Sequence, residues 1–184
     1  SQQAESKLPS KVKGFGHFET LSIRDLGMKL GEDIKPNDWV PREPRKGLKR
    51  ALVVDNDAFF VEFLSELLEE KGYEVIKAYD GKEGMQLLTQ QEISIMFVDI
   101  VMPRIDGWQL IKYTRKKIPA RWFPIVAVSG TIVEQLDDLE HIGADYYIAK
   151  GPIEKMKIKI DEFMEKIEDQ PFPVNEDSEV VFST

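Results

Sequence analysis

Four places in this chain end an apolar run on a residue that can do chemistry. Leu52-Val53-Val54-Asp55-Asn56-Asp57 ends in two carboxylates and a carboxamide, and Ile95-Met96-Phe97-Val98-Asp99 ends in a carboxylate. Ile125-Val126-Ala127-Val128-Ser129 ends in a hydroxyl, and Tyr146-Tyr147-Ile148-Ala149-Lys150 in an amine. A carboxylate oxygen can attack phosphorus or hold a hard cation, while an ammonium and a hydroxyl can steady the anionic group that results. Whether Asp55 is itself a nucleophile or holds a metal for one elsewhere depends on what brings these ends together.

The elements that must do so are legible from periodicity. After Ala51–Val54, a short buried strand, Phe60, Phe63, Leu64, Leu67 and Leu68 recur on one helical face that Gly72 can end. Residues 73–79 alternate like a strand, and a helix follows the Asp80-Gly81 turn. Residues 93–98 are apolar but for Ser94, as a central parallel strand should be. A helix from Asp106-Gly107, a strand over 124–128, a helix over 131–143, a strand over 146–149 and a last helix through Met156, Ile160, Phe163 and Ile167 complete the series. Strand and helix alternate five times between residues 50 and 168. Short right-handed crossovers then predict an α/β fold, a parallel sheet with helices on both faces. Ligands bind such sheets outside the carboxyl ends of the strands, where strand order reverses. That places Asp55, Asn56, Asp57, Asp99, Ser129 and Lys150 along one edge.

At this point LVVDND, FVDIVMPRIDGWQL, PIVAVSG and YYIAK resemble the response-regulator receiver domain (CheY-like) of two-component signal transduction. The resemblance covers roughly residues 50–168 and is most specific in Asp99-x-x-Met102-Pro103-x-x-Asp106-Gly107. It implies a doubly wound, flavodoxin-like five-stranded sheet of order 2-1-3-4-5. It also implies roles. Asp99 matches the phosphoacceptor, which takes a phosphoryl group from a histidine kinase or phosphotransfer protein. Asp55, Asp99 and the Val101 backbone carbonyl match the Mg²⁺ positions. Lys150 matches the lysine that pairs with the acceptor and then with the phosphoryl group. Ser129 matches the hydroxyl that bonds a phosphoryl oxygen, and Tyr147 the aromatic whose rotamer follows and re-shapes the signalling face. On this reading the chain is a phosphoacceptor without turnover, not an enzyme in the ordinary sense.

Two positions depart from the family pattern. Asn56 stands where a second acid is usual, so its contribution to the metal is weak or indirect. Lys150-Gly151-Pro152 replaces a Lys-Pro pair, which bears on the aim of the lysine. Two other readings compete. One is a degenerate receiver acting as an interaction module without phosphorylation. The other is a haloacid-dehalogenase-type phosphohydrolase with Asp55 as nucleophile, which leaves Asp99 and the Met102-Pro103 segment unexplained. Asp57 and Asp106 are also natural helix caps. His17 and His141 have no partner at ligand spacing.

Charge and composition narrow the surroundings. Residues 1–50 carry a net charge of +4 and residues 51–184 a net of −12. An acidic body is a poor phosphate-backbone binder, so nucleic acid is not an expected partner. With no cysteine and no apolar run near the roughly 18 residues that span a bilayer, the chain is expected in the cytoplasm, without disulfides or thiolate metal sites. Residues 1–49 read as an N-terminal extension with a Pro-rich basic linker, 50–168 as the receiver, and 169–184 as a flexible tail. The basic lead has Phe15, Phe18, Leu21, Ile23, Leu26 and Trp39 to bury. Residues 14–40 are therefore expected to pack on the receiver of their own chain or of a homodimer mate. The downstream partner is a protein that this sequence does not name.

Overall fold

The computed structural model describes residues 44–102, 107–117, 122–130 and 143–168, together with the backbone of 181–183. Its elements run β1 (Arg50–Val54), α1 (Ala58–Glu70), β2 (Glu74–Ala78), α2 (Gly81–Gln90), β3 (Ile95–Asp99), α3 (Gly107–Lys117), β4 (Ile125–Ser129), β5 (Tyr146–Ala149), α4 (Ile153–Glu168) and β6 (Val181–Ser183). Every neighbouring pair of strands is parallel, in the order β2-β1-β3-β4-β5-β6. The first five strands have the expected doubly wound order, which reverses between β1 and β3. The helix expected over 131–143 and the packing expected for 14–40 lie outside the described residues.

The sixth strand is new. Periodicity predicts no strand in 169–184, yet Val181–Ser183 pairs with β5, placing Phe182 opposite Tyr147. The Val180-Val181-Phe182 run favours extended backbone, and the outer edge of β5 otherwise leaves a row of ladder groups without partners.

Both faces of the sheet are buried, which explains why the inner strands read as unbroken apolar runs. Leu52, Val54, Met96, Val98, Ile125 and Ala127 point to one layer, with Met85 and Leu88 of α2 and Trp108, Leu110 and Ile111 of α3. Ala51, Val53, Ile95, Phe97, Val126 and Val128 point to the other, with Phe60, Leu64 and Leu68 of α1 and Met156, Ile160 and Phe163 of α4. Capping starts two of these helices. Asp57 accepts a hydrogen bond from the Phe60 N–H at 3.2 Å, and Asp80 accepts from the Glu83 N–H at 2.7 Å.

Two features hold the strand ends where they are. Gly107 opens α3 so close behind β3 that an added Cβ would collide with the Asp99 carbonyl oxygen and lie 2.6 Å from Ile100 Cα. Any side chain there would push α3 off the end of β3. At the opposite edge, Arg115 of α3 pairs with Asp145 at 2.6 Å and donates to the carbonyls of Phe123 (2.8 Å) and Gly143 (2.9 Å). Asp145 also accepts from the Ile125 N–H at 2.9 Å. One buried ion pair thereby ties α3 to the entrances of β4 and β5.

Candidate functional site

The carboxyl ends of β1, β3, β4 and β5 converge, as the topology requires. Asp99 and Ser129 are the last residues of their strands rather than the first of the loops, and both are buried. Asp55 follows β1 directly and is 1% exposed. Hydrogen bonds from the Asp55 N–H to the Ala78 carbonyl (3.0 Å) and from the Ile100 N–H to the Val128 carbonyl (3.0 Å) carry the ladder past the strands. Lys150 continues β5 by one rung, its N–H donating to the Ser129 carbonyl at 2.8 Å.

Each carboxylate is held in the same manner. Asp55 Oδ1 accepts from the backbone N–H of Asp57 at 2.8 Å, and Asp99 Oδ1 from that of Val101 at 3.0 Å. These local turns leave one oxygen of each acid facing the lysine. Lys150 Nζ lies 2.7 Å from Asp55 Oδ2 and 3.7 Å from Asp99 Oδ2. The resemblance pairs this lysine with the acceptor acid. Here it reaches both acids, and its shorter contact is with Asp55. The glycine inserted before Pro152 therefore leaves the lysine aimed at the carboxylates.

The other candidates separate clearly. Asn56 is exposed beside the pair, and Val101 is partly buried. Asp57 is exposed, and its Oδ1 caps α1. Tyr147 is buried within the layer covered by α2 and α3. Burial raises its phenol above the usual range, and the nearby charge of Asp99 adds to the rise. Asp106 and His141 lie outside the described residues. Phe60, whose ring stands over the Lys150 ammonium, is a site neighbour that the sequence shows only as one apolar helical position.

Asp99 has the most altered titration. Burial, then the negative charge of Asp55, pushes its carboxyl up from 3.8 to about 7, against the pull of the Val101 N–H and Lys150. Stability is thereby coupled to pH. Between pH of about 4 and 7 the unfolded chain has lost this proton while the metal-free folded chain keeps it, so raising pH through that window weakens the fold. The wild type should therefore lose on the order of 4 kcal/mol relative to Asp99→Asn across it, since each tenfold change in proton affinity is worth about 1.4 kcal/mol. Denaturant unfolding with a chelator at both pH values measures this; a wild-type-to-variant difference that does not change with pH would contradict it.

The donor set suits a hard cation. It is all oxygen: the Asp55 and Asp99 carboxylates, the Val101 carbonyl and the exposed Asn56 amide. Asp55 Oδ2 is buried and, although 2.7 Å from the ammonium, has no aligned hydrogen bond. Among the described residues no three Asp, Glu, His or Cys side chains form a metal-binding group.

Fold and site together define a doubly wound, flavodoxin-like α/β protein with an acidic pair and a lysine at its switch point. Comparison with known proteins gives that class a family. Residues 51–161 match the family model of the response regulator receiver domain, and the chain belongs to that family. It is 31% identical over 109 residues to the response regulator GtcR of Aneurinibacillus migulanus, covering 58% of this chain and 44% of that one. Identity is also 31% over 104 residues to a probable transcriptional regulator, ycf27, of Cyanophora paradoxa, covering 55% of this chain and 42% of that one. The chain thus spans less than half the length of these curated relatives. Among solved structures it resembles the response regulator TrrA of Thermotoga maritima in complex with Mg(2+)-BeF, with 30% identity and a TM-score of 0.55 over 66% of this chain and 97% of that one. A CheY-like receiver domain protein of Methanospirillum hungatei gives 28% identity and a TM-score of 0.56, over 68% of this chain and all of the other. No helix among the described residues is long and apolar enough to cross a membrane.

Proposed function

We propose that residues 50–168 form a receiver that takes a phosphoryl group onto Asp99 from a partner histidine kinase or phosphotransfer protein and relays the change to a downstream protein. The observation that carries the reading is the pair of carboxylate oxygens, Asp55 Oδ2 and Asp99 Oδ2, facing one ammonium at the switch point of the sheet. In the transfer an Asp99 oxygen forms a bond to phosphorus as the bond from phosphorus to the donor imidazole nitrogen breaks, and that nitrogen keeps the electron pair. Two anions must meet for this, so neutralising charge dominates the barrier.

This chain's residues divide that task. Lys150 neutralises the arriving phosphoryl oxygens and can move from Asp55 toward them. The buried Ser129 hydroxyl stands one strand away to bond a phosphoryl oxygen. The Val101 N–H steadies the acceptor through Oδ1 while Oδ2 remains available. Mg²⁺, held by Asp55, Asp99 and the Val101 carbonyl with at most weak help from Asn56, would supply further positive charge there. Ser129 and Tyr147 sit on adjacent strands, β4 and β5, and form the natural two-state element between the site and the signalling face. Residues 1–49 stand as an extension to this unit and 169–184 as its tail.

Incubation with acetyl phosphate and Mg²⁺ followed by intact-mass measurement tests the reading. One phosphoryl adduct is expected. No adduct with excess Mg²⁺ would instead support a phosphorylation-independent receiver.

The missing acid makes a second prediction. Restoring a carboxylate by Asn56→Asp adds one charge at an exposed position, worth about 1–2 kcal/mol against a divalent ion. Mg²⁺ should then bind roughly five- to thirtyfold more tightly by calorimetric titration. Equal affinity in the two proteins would mean that another group already supplies this charge.

A further inference from the structure

The Lys150 ammonium has a third neighbour besides the two carboxylates. It stands 4.5 Å from the centroid of the Phe60 ring, within the range of a cation–π contact. Phe60 is 7% exposed and lies in the first turn of α1, where the Asp57 cap holds its backbone N–H at 3.2 Å. Asp57 in turn donates its own N–H to Asp55 Oδ1. A single short stretch therefore places the Asp55 carboxylate and the aromatic face, and the two meet the same ammonium. Phe63 packs beside Phe60 with centroids 6.2 Å apart, which helps to hold the ring.

We propose that Phe60 is a positioning residue for Lys150, its ring face holding the ammonium between Asp55 and Asp99. The Lys150 side chain is 18% exposed and its backbone N–H is tied to the Ser129 carbonyl, so the stem leaves β5 along a set path. An added Cβ at Gly151 would meet nothing within 4 Å, so no side chain beyond the lysine presses on it from there. The ring adds a contact at the tip. The quadrupole of the ring attracts the cation on its face without neutralising it, so the charge stays available to an arriving phosphoryl group. Leu or Ile at position 60 would fill the layer against α4 but offer no such face.

The effect on phosphorylation rests on the phosphoacceptor reading above; the effect on the lysine does not. Protons lying over an aromatic face are shielded by its ring current. In selectively labelled, metal-free protein, the Lys150 ε-methylene resonance, assigned by its loss in Lys150→Met, should lie upfield of the other lysines. It should return among them in Phe60→Leu and stay upfield in Phe60→Tyr. The rate of phosphorylation by acetyl phosphate should fall about two- to fivefold in Phe60→Leu, the size of an ordinary cation–π contribution, and recover in Phe60→Tyr. In a Lys150→Met background, Phe60→Leu should cost nothing more.

A Lys150 resonance that sits among the other lysines in the wild type overturns the proposal without any variant. So does an equal rate loss from Phe60→Leu with and without Lys150, which would mark a packing defect. A wild type with an upfield resonance that takes no phosphoryl group would refute the phosphoacceptor reading and uphold the positioning.

Discussion

Treated with acetyl phosphate and Mg²⁺, the wild type should gain one phosphoryl group and Asp99→Asn none. The amide that replaces the Asp99 carboxylate keeps the shape and the Val101 contact at 3.0 Å but has no nucleophilic anionic oxygen. Asp55→Asn removes the nearer partner of Lys150, 2.7 Å away, and one anionic donor of the proposed Mg²⁺ site. It should slow transfer by roughly a hundredfold or more, as loss of a key electrostatic group does in active sites generally, without moving the adduct elsewhere. Peptide mapping of the adduct separates the readings. An adduct that persists in Asp99→Asn and disappears in Asp55→Asn would make Asp55 the nucleophile.

The largest expected effect on stability lies away from the chemistry. Asp145→Ala should destabilise the fold by about 3–5 kcal/mol, because it leaves the Arg115 guanidinium buried without its carboxylate. The pair is closed at 2.6 Å with side-chain exposures of 9% and 1%, so water can replace little of what is lost. The Ile125 N–H loses its acceptor in the same change. Because that ion pair ties α3 to the entrances of β4 and β5, the ends carrying Ser129 and Lys150 should loosen with it. Denaturant unfolding gives the free energy, and amide exchange over β4 and β5 reports the loosening. A loss below about 1 kcal/mol, the range of exposed pairs, would show that the ion pair is not a structural tie.

Most of the architecture is written locally in this chain. Ala51–Val54, Ile95–Val98 and Ile125–Val128 are apolar at every position, and a strand buried on both faces requires that. The helical spacing from Phe60 to Leu68 and from Met156 to Ile167 gives the two helices of one layer. With strand and helix alternating, chain chirality leaves little freedom in the topology, and the strand-end residues Asp55, Asp99, Ser129 and Lys150 must converge. The fold and the meeting of these strand ends are therefore readable from the chain alone. The strand at Val181–Ser183 is not, since three residues become a strand only when an edge is there to pair with.

What the sequence could not hold is every relation between side chains remote along the chain. Nothing in Arg115-Lys116-Lys117 marks Arg115 as the residue that turns inward to Asp145, and nothing near Phe60 shows that its ring meets an ammonium 90 positions later. The lysine's shorter reach to Asp55 than to Asp99 depends on how β1, β3 and β5 stagger across the sheet. The rise of the Asp99 carboxyl to about 7 needs both its burial and the distance to Asp55. These are properties of separation and solvent exclusion, which fall off over a few ångströms. The residue types and their order along the chain determined which groups meet at this edge; only the packed sheet decided which oxygen the cation touches and which ring holds it there.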